Sequence, residues 1–401
     1  MLGWPGGHRV TALGLPSPDV IVVGGGIVGT STAAFLAGAG VRVLLVEREA
    51  LASGASGANS GVVQHPFDPV MAGLYRSSLD LYRELAATSN SFAIGKQPVG
   101  MLYVTGDEAT ARRQAALIDG PFPELRAEVL GGAALQAVEP AVAPGTWACR
   151  VPIGFPVAPG SGTYAFASLA EARGVTIRAG RAAALEVDGD RVVGVRVDGR
   201  VVAAGAVMAA AGPWTPALLD PSGSWAPISP RWGVVVEAEV PGAPRHVLEE
   251  AGIEAVLDWG SGASGTPAVG DGDAGVADDG LEFSFVPQAG AGSVGSTFLP
   301  AEPDPQAWVE RILVHATRFV PAIGDAPIRG VRCCPRPQAD DGRPLVGAVP
   351  WLRGAFVCAG HGPWGISTGP GSARLVADLV LGRHPPIPVE LDPARFGAPR
   401  G

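Results

Sequence analysis

The chain has 401 residues, 47% of them apolar, and a formal net charge of −9 with no basic block. That length exceeds one typical domain, so two domains, consecutive or interleaved, are expected. The acidic balance argues against a nucleic-acid surface, which needs clustered Lys and Arg, and against an anionic membrane.

Lys96 is the single lysine; every other basic side chain is Arg or His. Cys149, Cys333, Cys334 and Cys358 form no C-x-x-C pair, which reads as a reduced, cytoplasmic protein without a zinc or other metal site. Residues 1–18 hold too short an apolar run for a signal peptide or a membrane span and read as a loose tail. Residues 386–401 read as a second tail.

Residues 19–47, DVIVVGGGIVGTSTAAFLAGAGVRVLLVE, spell a buried strand, a glycine turn, a small-residue helix and a second apolar strand closed by Glu47. Gly24, Gly26 and Gly29 fit G-x-G-x-x-G: the first for a tight turn, the second for backbone approach to a pyrophosphate, the third for close helix packing. The helix start offers free N–H groups and a positive dipole end to phosphates. Glu47 stands where a carboxylate accepts from a ribose hydroxyl. Ile27 and Val28 at the helix start, and Arg48 beside Glu47, join the candidate contacts. The alternative is an ordinary glycine-rich turn, but strand, helix and acidic strand end agree on a dinucleotide site, for FAD or NAD.

Residues 50–63, ALASGASGANSGVV, are too small and glycine-rich for an ordinary element and suit an extended ligand. Residues 70–87 have helical spacing of Leu74, Leu81 and Leu85. Residues 97–105 read as a strand, and 107–118 and 132–138 as surface helices. A helix at 164–173 and a strand at 174–180 follow. Strands at 182–187, 191–197 and 201–204, joined by tight turns, form a meander of the kind that crosses a nucleotide domain. The strand at 206–211 ends in Gly212, Pro213 and Trp214, a turn suited to close approach. From Ile228 the chain is β-rich, with strands at 233–240, 281–286 and 293–298. Between them, residues 258–280 contain seven Gly and five Asp, cannot bury a core, and read as a mobile loop, an insertion or a lid. A helix at 305–319, a buried strand at 355–359 and a helix at 372–381 complete the pass.

Four blocks together, DVIVVGGGIVG with Glu47, SGASGANSG, VMAAAGPW, and RPQADDGRPLVG with VCAGHGPWGISTGPGSARLVADLVL, resemble the FAD-dependent amino-acid and amine oxidoreductases. That family includes D-amino acid dehydrogenase, glycine oxidase and sarcosine oxidase, and the likeness covers about residues 19–384. It implies an α/β fold: a Rossmann-like FAD-binding domain with a parallel sheet (19–90, 145–226, 327–385), interleaved with a β-rich, α+β substrate domain (91–144, 227–326). It implies that Gly360, His361, Gly362, Gly365 and Ile366 present backbone to the flavin ring. By the same likeness Ala182 touches adenine, Ser56, Asn59, Ser60 and Gly61 run along the pyrophosphate and ring, and Gly212 lies beneath the cofactor.

Arg336 stands five residues before Asp341, where relatives that oxidise amino acids carry an arginine for the substrate carboxylate. A guanidinium forks onto a carboxylate with two parallel hydrogen bonds. The alternatives are that Arg336 pairs with Asp340 or Asp341, or that Arg332 is the clamp. His65 and His361 flank the presumed ring as positional candidates for a base, although a neutral amine can give up its α-hydride without one. Cys334 has the spacing at which some relatives join the flavin covalently; the other reading is a small buried thiol. Those relatives also carry a lysine over the flavin, and none occurs near Ser293, which favours a dehydrogenase over an oxidase. Phe283 and Phe285 fall where some relatives carry a substrate-touching Tyr and read as an apolar wall.

The implied activity is oxidation of the C–N bond of a small amino acid or N-alkyl amino acid, with hydride passing to flavin N5 and the imine hydrolysing. A 2-hydroxy-acid dehydrogenase, or a flavin-carrying subunit of a heteromer, are the alternatives. The electron acceptor, and whether the chain forms homo- or hetero-oligomers, are left open.

Overall fold

The computed structural model describes residues 17–252 and 280–400. The expected N-terminal tail, except Ser17 and Pro18, and the expected loop at 258–280, except Gly280, lie outside the described residues.

A six-stranded sheet runs in the order Leu345–Ala348, Ala355–Ala359, Ala206–Ala209, Val20–Val23, Val43–Val46, Thr176–Arg178. All neighbours are parallel except the first pair. A parallel sheet is covered on both faces, which is why VIVV and VLLV are apolar at every position and buried throughout. Val20 and Val22 pack with helices Ile27–Gly38, Pro69–Thr88, Ser161–Ala172 and Gly365–Val380. Ile21 and Val23 face the meander, against Val192, Val195 and Val202.

The last of those helices begins at Gly365, seven residues before the expected start at Ser372. Its first turns hold Gly369, Pro370 and Gly371, a run that reads as irregular in sequence. Tertiary packing supplies the reason. A Cβ on Gly371 would lie 2.4 Å from the Leu74 carbonyl oxygen of Pro69–Thr88. The Gly371 N–H donates to Ser78 Oγ at 2.9 Å.

An eight-stranded sheet runs Ile328–Ala339, Ile228–Ala238, Ala291–Thr297, Leu281–Gln288, Val247–Glu250, Met101–Thr105, Trp147–Val151, Glu128–Gly131. Its one parallel pairing is Val247–Glu250 with Met101–Thr105. The strands Trp147–Val151 and Ile328–Ala339 lie on the nucleotide side of the boundaries expected at 145 and 327, yet both belong to this sheet. Helix Gln306–Thr317 covers one face, where Val234, Val236, Phe283, Phe285, Val294 and Ile312 form a single cluster. Phe283 stacks on Phe319 with ring centroids 5.1 Å apart. The Phe285 ring fills the space above Gly292, where a Cβ would come within 2.3 Å of it. Both phenylalanines are therefore core, not pocket wall. Side chains alternate faces along a strand, so Glu282 and Ser284 take the opposite face.

The expected C-terminal tail is packed. Leu391 is fully buried, and Arg395 forks onto Asp341 at 2.6 and 3.0 Å. Lys96 is exposed in the link between Pro69–Thr88 and Met101–Thr105. Among the described residues no helix is long and apolar enough to cross a membrane.

Candidate active site

A cavity of about 380 Å³ opens at the carboxyl ends of the parallel strands. This is where ligands sit in open α/β sheets, because the turns and helix starts there expose backbone donors. One wall is the turn at 24–28 with Glu47, Arg48 and residues 52–56; the far end is Cys334, Arg336, Pro337 and residues 361–363.

Each glycine of the turn answers to a close contact. Gly24 has φ +119°, and a Cβ there would meet the Ala210 carbonyl oxygen at 2.2 Å. A Cβ on Gly29 would lie 1.9 Å from the Gly24 carbonyl oxygen. Gly29 is thus a packing residue behind the wall and is not among the residues that line the cavity. Glu47 braces the turn from the cavity side, accepting from the Gly25 N–H at 2.6 Å and the Glu49 N–H at 2.8 Å.

The first N–H groups of a helix have no intrahelical acceptor. Here the Ile27 N–H donates to Ser56 Oγ at 3.0 Å, so the 52–61 loop caps the helix across space. The Ser56 hydroxyl, accepting there, keeps its own proton to donate. Asn59, expected to touch the ligand, spends its side chain inside the loop. Its Nδ2 donates to the Ala55 and Ser56 carbonyls at 3.1 and 2.8 Å, and its Oδ1 accepts from the Gly61 N–H at 2.8 Å. Asn59 still lines the cavity, whereas Ser60, Gly61 and Gly360 are not among its wall residues. Gly61 is turned into Val157 and Gln288, and Gly360 packs against Ala339, Leu345 and Ile228.

Ala182 lies on the wall as expected. Gly212 does too, with φ +56° and open space where its Cβ would project. Trp214, read from sequence as the end of that turn, flanks it with the Arg48 guanidinium 4.2 Å above its ring. A sequence signal existed: GPW occurs twice, at Gly212–Trp214 and Gly362–Trp364. Both copies are 3-10 turns that follow neighbouring parallel strands, and both border this cavity.

At the far end His361 is buried, and burial pushes its pKa down to about 4, leaving it neutral. Ser372 Oγ donates to the Thr368 carbonyl at 3.0 Å, so the 3.1 Å contact with His361 is an Nε2–H donation to that hydroxyl. The imidazole is tied into the helix and is not a free base. His65 is not on the cavity wall. It sits among Phe67, Tyr75 and Phe122, and burial, aided by Arg76, lowers its pKa to about 4. Of the two histidines, only His361 is on the cavity wall.

Arg336 reaches the cavity and Arg332 does not. Arg332 is held by Glu237 at 3.2 Å and Ser293 Oγ at 2.7 Å. Asp341 is taken by Arg395. Arg336 forms no ion pair among the described residues. Its Nη1 donates to the Thr297 carbonyl at 2.7 Å, its Nη2 donates to Ser296 Oγ at 2.6 Å, and its Cζ lies 4.4 Å from the Phe298 ring centroid. Burial lowers its pKa, the mark of a cation short of solvation that an anion would relieve. Cys334 lines the same end; burial raises its thiol pKa against the opposing pull of Arg336 and Arg332.

A glycine turn at a capped helix start, a carboxylate on the cavity wall and a cavity with room above Gly212 fit FAD. Residues 19–379 match the family described as FAD dependent oxidoreductase. The glycine oxidase of Pseudomonas aeruginosa is 30% identical over 406 residues, covering 96% of this chain and 99% of that protein. A D-amino acid dehydrogenase of Methylobacterium is 33% identical over 56% of this chain and 48% of its own length. The solved structure of glycine oxidase from Bacillus cereus has a TM-score of 0.77 at 24% identity, covering 92% of this chain and 96% of that one. L-amino acid deaminase from Proteus myxofaciens has a TM-score of 0.76 at 20% identity, covering 97% and 96%. At such identities these two structures speak for the fold. With a family match that spans the glycine turn, the cavity and the C-terminal helix, the chain belongs to the FAD dependent oxidoreductases, and FAD is its cofactor.

Proposed function

We propose that the enzyme oxidises the C–N bond of a small amino acid or N-alkyl amino acid, and that it works as a dehydrogenase. The observation that carries this reading is Arg336, a cavity-lining guanidinium without an ion pair among the described residues, while the competing Arg332 is engaged by Glu237 and Ser293. The names of the similar proteins, glycine oxidase and D-amino acid dehydrogenase, point to the same substrate class.

FAD, when bound, supplies the acceptor for the hydride equivalent. The residues of the chain bind and orient. Gly24–Val28, Ser56 and Glu47 hold the nucleotide portion. Arg336 keeps three of its five N–H donors beyond those given to Thr297 and Ser296, enough to fork onto a carboxylate. Holding the carboxylate fixes the α-carbon, turning binding energy into orientation. His361 is neutral and tied to Ser372, so the amine enters as its free base and no protein base is required. Cys334 is a buried neutral thiol, which disfavours attack on the cofactor, so FAD is released on denaturation. The sole lysine, Lys96, is exposed and off the cavity wall, which supports a dehydrogenase.

Removing one partner of a desolvated charge pair costs about 2–5 kcal/mol. Arg336→Met should therefore lose roughly two or more decades of kcat/KM on carboxylate substrates, at about 1.4 kcal/mol per decade, while keeping its FAD. Arg336→Lys should recover only part. Release of ammonia or of an amine identifies C–N oxidation; a keto acid from a 2-hydroxy acid, with no nitrogen product, points to alcohol oxidation instead. Full activity of Arg336→Met on carboxylates would overturn the reading.

A further inference from the structure

We propose that Gly233 and Ser296 form the seat of the Arg336 guanidinium, and so set the preference of the enzyme for carboxylate-bearing substrates. The inference rests on the carboxylate clamp proposed above.

Arg336 belongs to strand Ile328–Ala339, but its hydrogen bonds are with Ser296 and Thr297, two strands away. Between them runs Ile228–Ala238, paired on one side with Ile328–Ala339 and on the other with Ala291–Thr297. The guanidinium must cross that middle strand. It crosses at Gly233. A Cβ built there would lie 2.2 Å from Nη1, 2.3 Å from Nη2 and 2.4 Å from Cζ, so the guanidinium occupies the volume a side chain would take. In register, Gly233 faces Cys334 and Arg231 faces Arg336, which puts Gly233 one diagonal step from Arg336 on the same face.

A glycine inside a strand weakens it and marks a close approach. Here what approaches is the charged group of the proposed clamp. Gly233 does not have the positive φ that favours glycine, so its backbone accepts alanine. The atoms that must yield to a new Cβ are the free end of a long side chain, not backbone. Alanine at 233 therefore displaces the guanidinium while leaving the sheet intact. Ser296 Oγ and the Thr297 carbonyl fix the far edge of the group, and Phe298 supports its face. Gly233 and Ser296 are positioning residues: they act through Arg336.

The test is equilibrium binding of acetate, a small unreactive carboxylate, to the FAD-loaded enzyme, followed by flavin absorbance. The series is wild type, Gly233→Ala, Ser296→Ala, Arg336→Met, and Gly233→Ala combined with Arg336→Met. FAD affinity and thermal midpoint are measured in each. We expect Gly233→Ala to raise the acetate Kd at least tenfold and Ser296→Ala to raise it several-fold, with FAD affinity unchanged. Gly233→Ala should add nothing once Arg336 is Met. If Gly233→Ala binds acetate like wild type while Arg336→Met does not, the seat is wrong and the clamp stands. A Gly233→Ala loss that persists in the Arg336→Met background also overturns the seat, because it then acts by general distortion. Should Gly233→Ala fail to hold FAD, Ser296→Ala decides: an unchanged acetate Kd there refutes the seat. If wild type does not bind acetate, or Arg336→Met binds it as wild type does, the clamp itself falls.

Discussion

Glu139 is a buried carboxylate outside the cavity that accepts three hydrogen bonds, and its replacement tests how the large sheet is held. Its Oε2 accepts from the Arg245 N–H at 2.8 Å, the His246 N–H at 3.0 Å and His246 Nδ1 at 2.8 Å, and the residue is 1% exposed. Those donors lead directly into Val247–Glu250, the short strand that joins Met101–Thr105 to Leu281–Gln288. Burial alone would raise the pKa of Glu139, but the His246 side chain and the two backbone N–H groups outweigh it and hold the pKa below its ordinary 4.5. A hydrogen bond to a charged group is worth about 1.5–3 kcal/mol against about 0.5–1.5 for a neutral one. Glu139→Gln, which keeps the shape but not the charge, should therefore cost about 2 kcal/mol at pH 7. Glu139→Ala, which strands buried donors, should cost about 3–5 kcal/mol. The sign of the pH dependence follows from the depressed folded pKa. The stabilisation is fully present above the unfolded value near 4.5 and is lost as pH falls through the folded value. Urea unfolding at a series of pH values should show wild type and Glu139→Gln differing at pH 7 and converging as pH falls below the unfolded value and through the lower folded one, where the wild-type carboxyl protonates. A gap that stays constant down to pH 3, or no gap at pH 7, would refute the reasoning.

Three further outcomes are expected. Ser56→Ala removes the cap on Ile27 and should destabilise the protein by about 1 kcal/mol in urea unfolding while weakening FAD binding in a fluorescence titration; no change in either would remove Ser56 from the site. Phe283→Ala should cost about 3–5 kcal/mol with little change in KM, whereas a changed KM at unchanged stability would return Phe283 to the pocket wall. Reduced enzyme mixed with oxygen in a stopped-flow instrument should reoxidise slowly compared with an artificial acceptor or quinone; oxygen reactivity as fast as turnover would make the enzyme an oxidase.

What the sequence reveals here follows the range of the interactions involved. The glycine turn is legible because part of its constraint is local: Gly29 packs on the Gly24 carbonyl and Glu47 accepts from the Gly25 N–H within one strand–helix–strand unit, whereas the contact of Gly24 with Ala210 comes from a distant strand. The meander and helix Pro69–Thr88 are legible from turn chemistry and periodicity, and Asp68 caps that helix from its own side chain. Helix Gly365–Val380 is partly hidden because Gly369 and Gly371 answer to neighbouring helices and not to their own segment. Phe283 and Phe285 are misread because alternation fixes two faces without saying which one meets helix Gln306–Thr317. His65 is misplaced by the sequence, since its surroundings are Phe67, Tyr75 and Phe122 and not the cavity, whereas His361 stands on the cavity wall as expected and only its partner, Ser372, goes unannounced. The partners of Arg336 depend on strand order across the large sheet, and no local pattern announces Ser296 or Gly233.

The exposed position of Lys96 bears on how the two halves of the chain depend on each other. A protease that cuts only after lysine has a single target here, in the link ahead of Met101–Thr105. The shorter fragment would carry Val20–Val23 and Val43–Val46, the heart of the six-stranded sheet. Both flanking strands, Ala206–Ala209 and Thr176–Arg178, would stay with the longer one. The nicked protein would thus be two chains interlocked strand between strand, held without a covalent link. Neither fragment could complete the sheet alone, so denaturation would separate them and mixing would be needed to restore flavin binding. An enzyme with one lysine is in this way a ready-made system for studying fragment complementation.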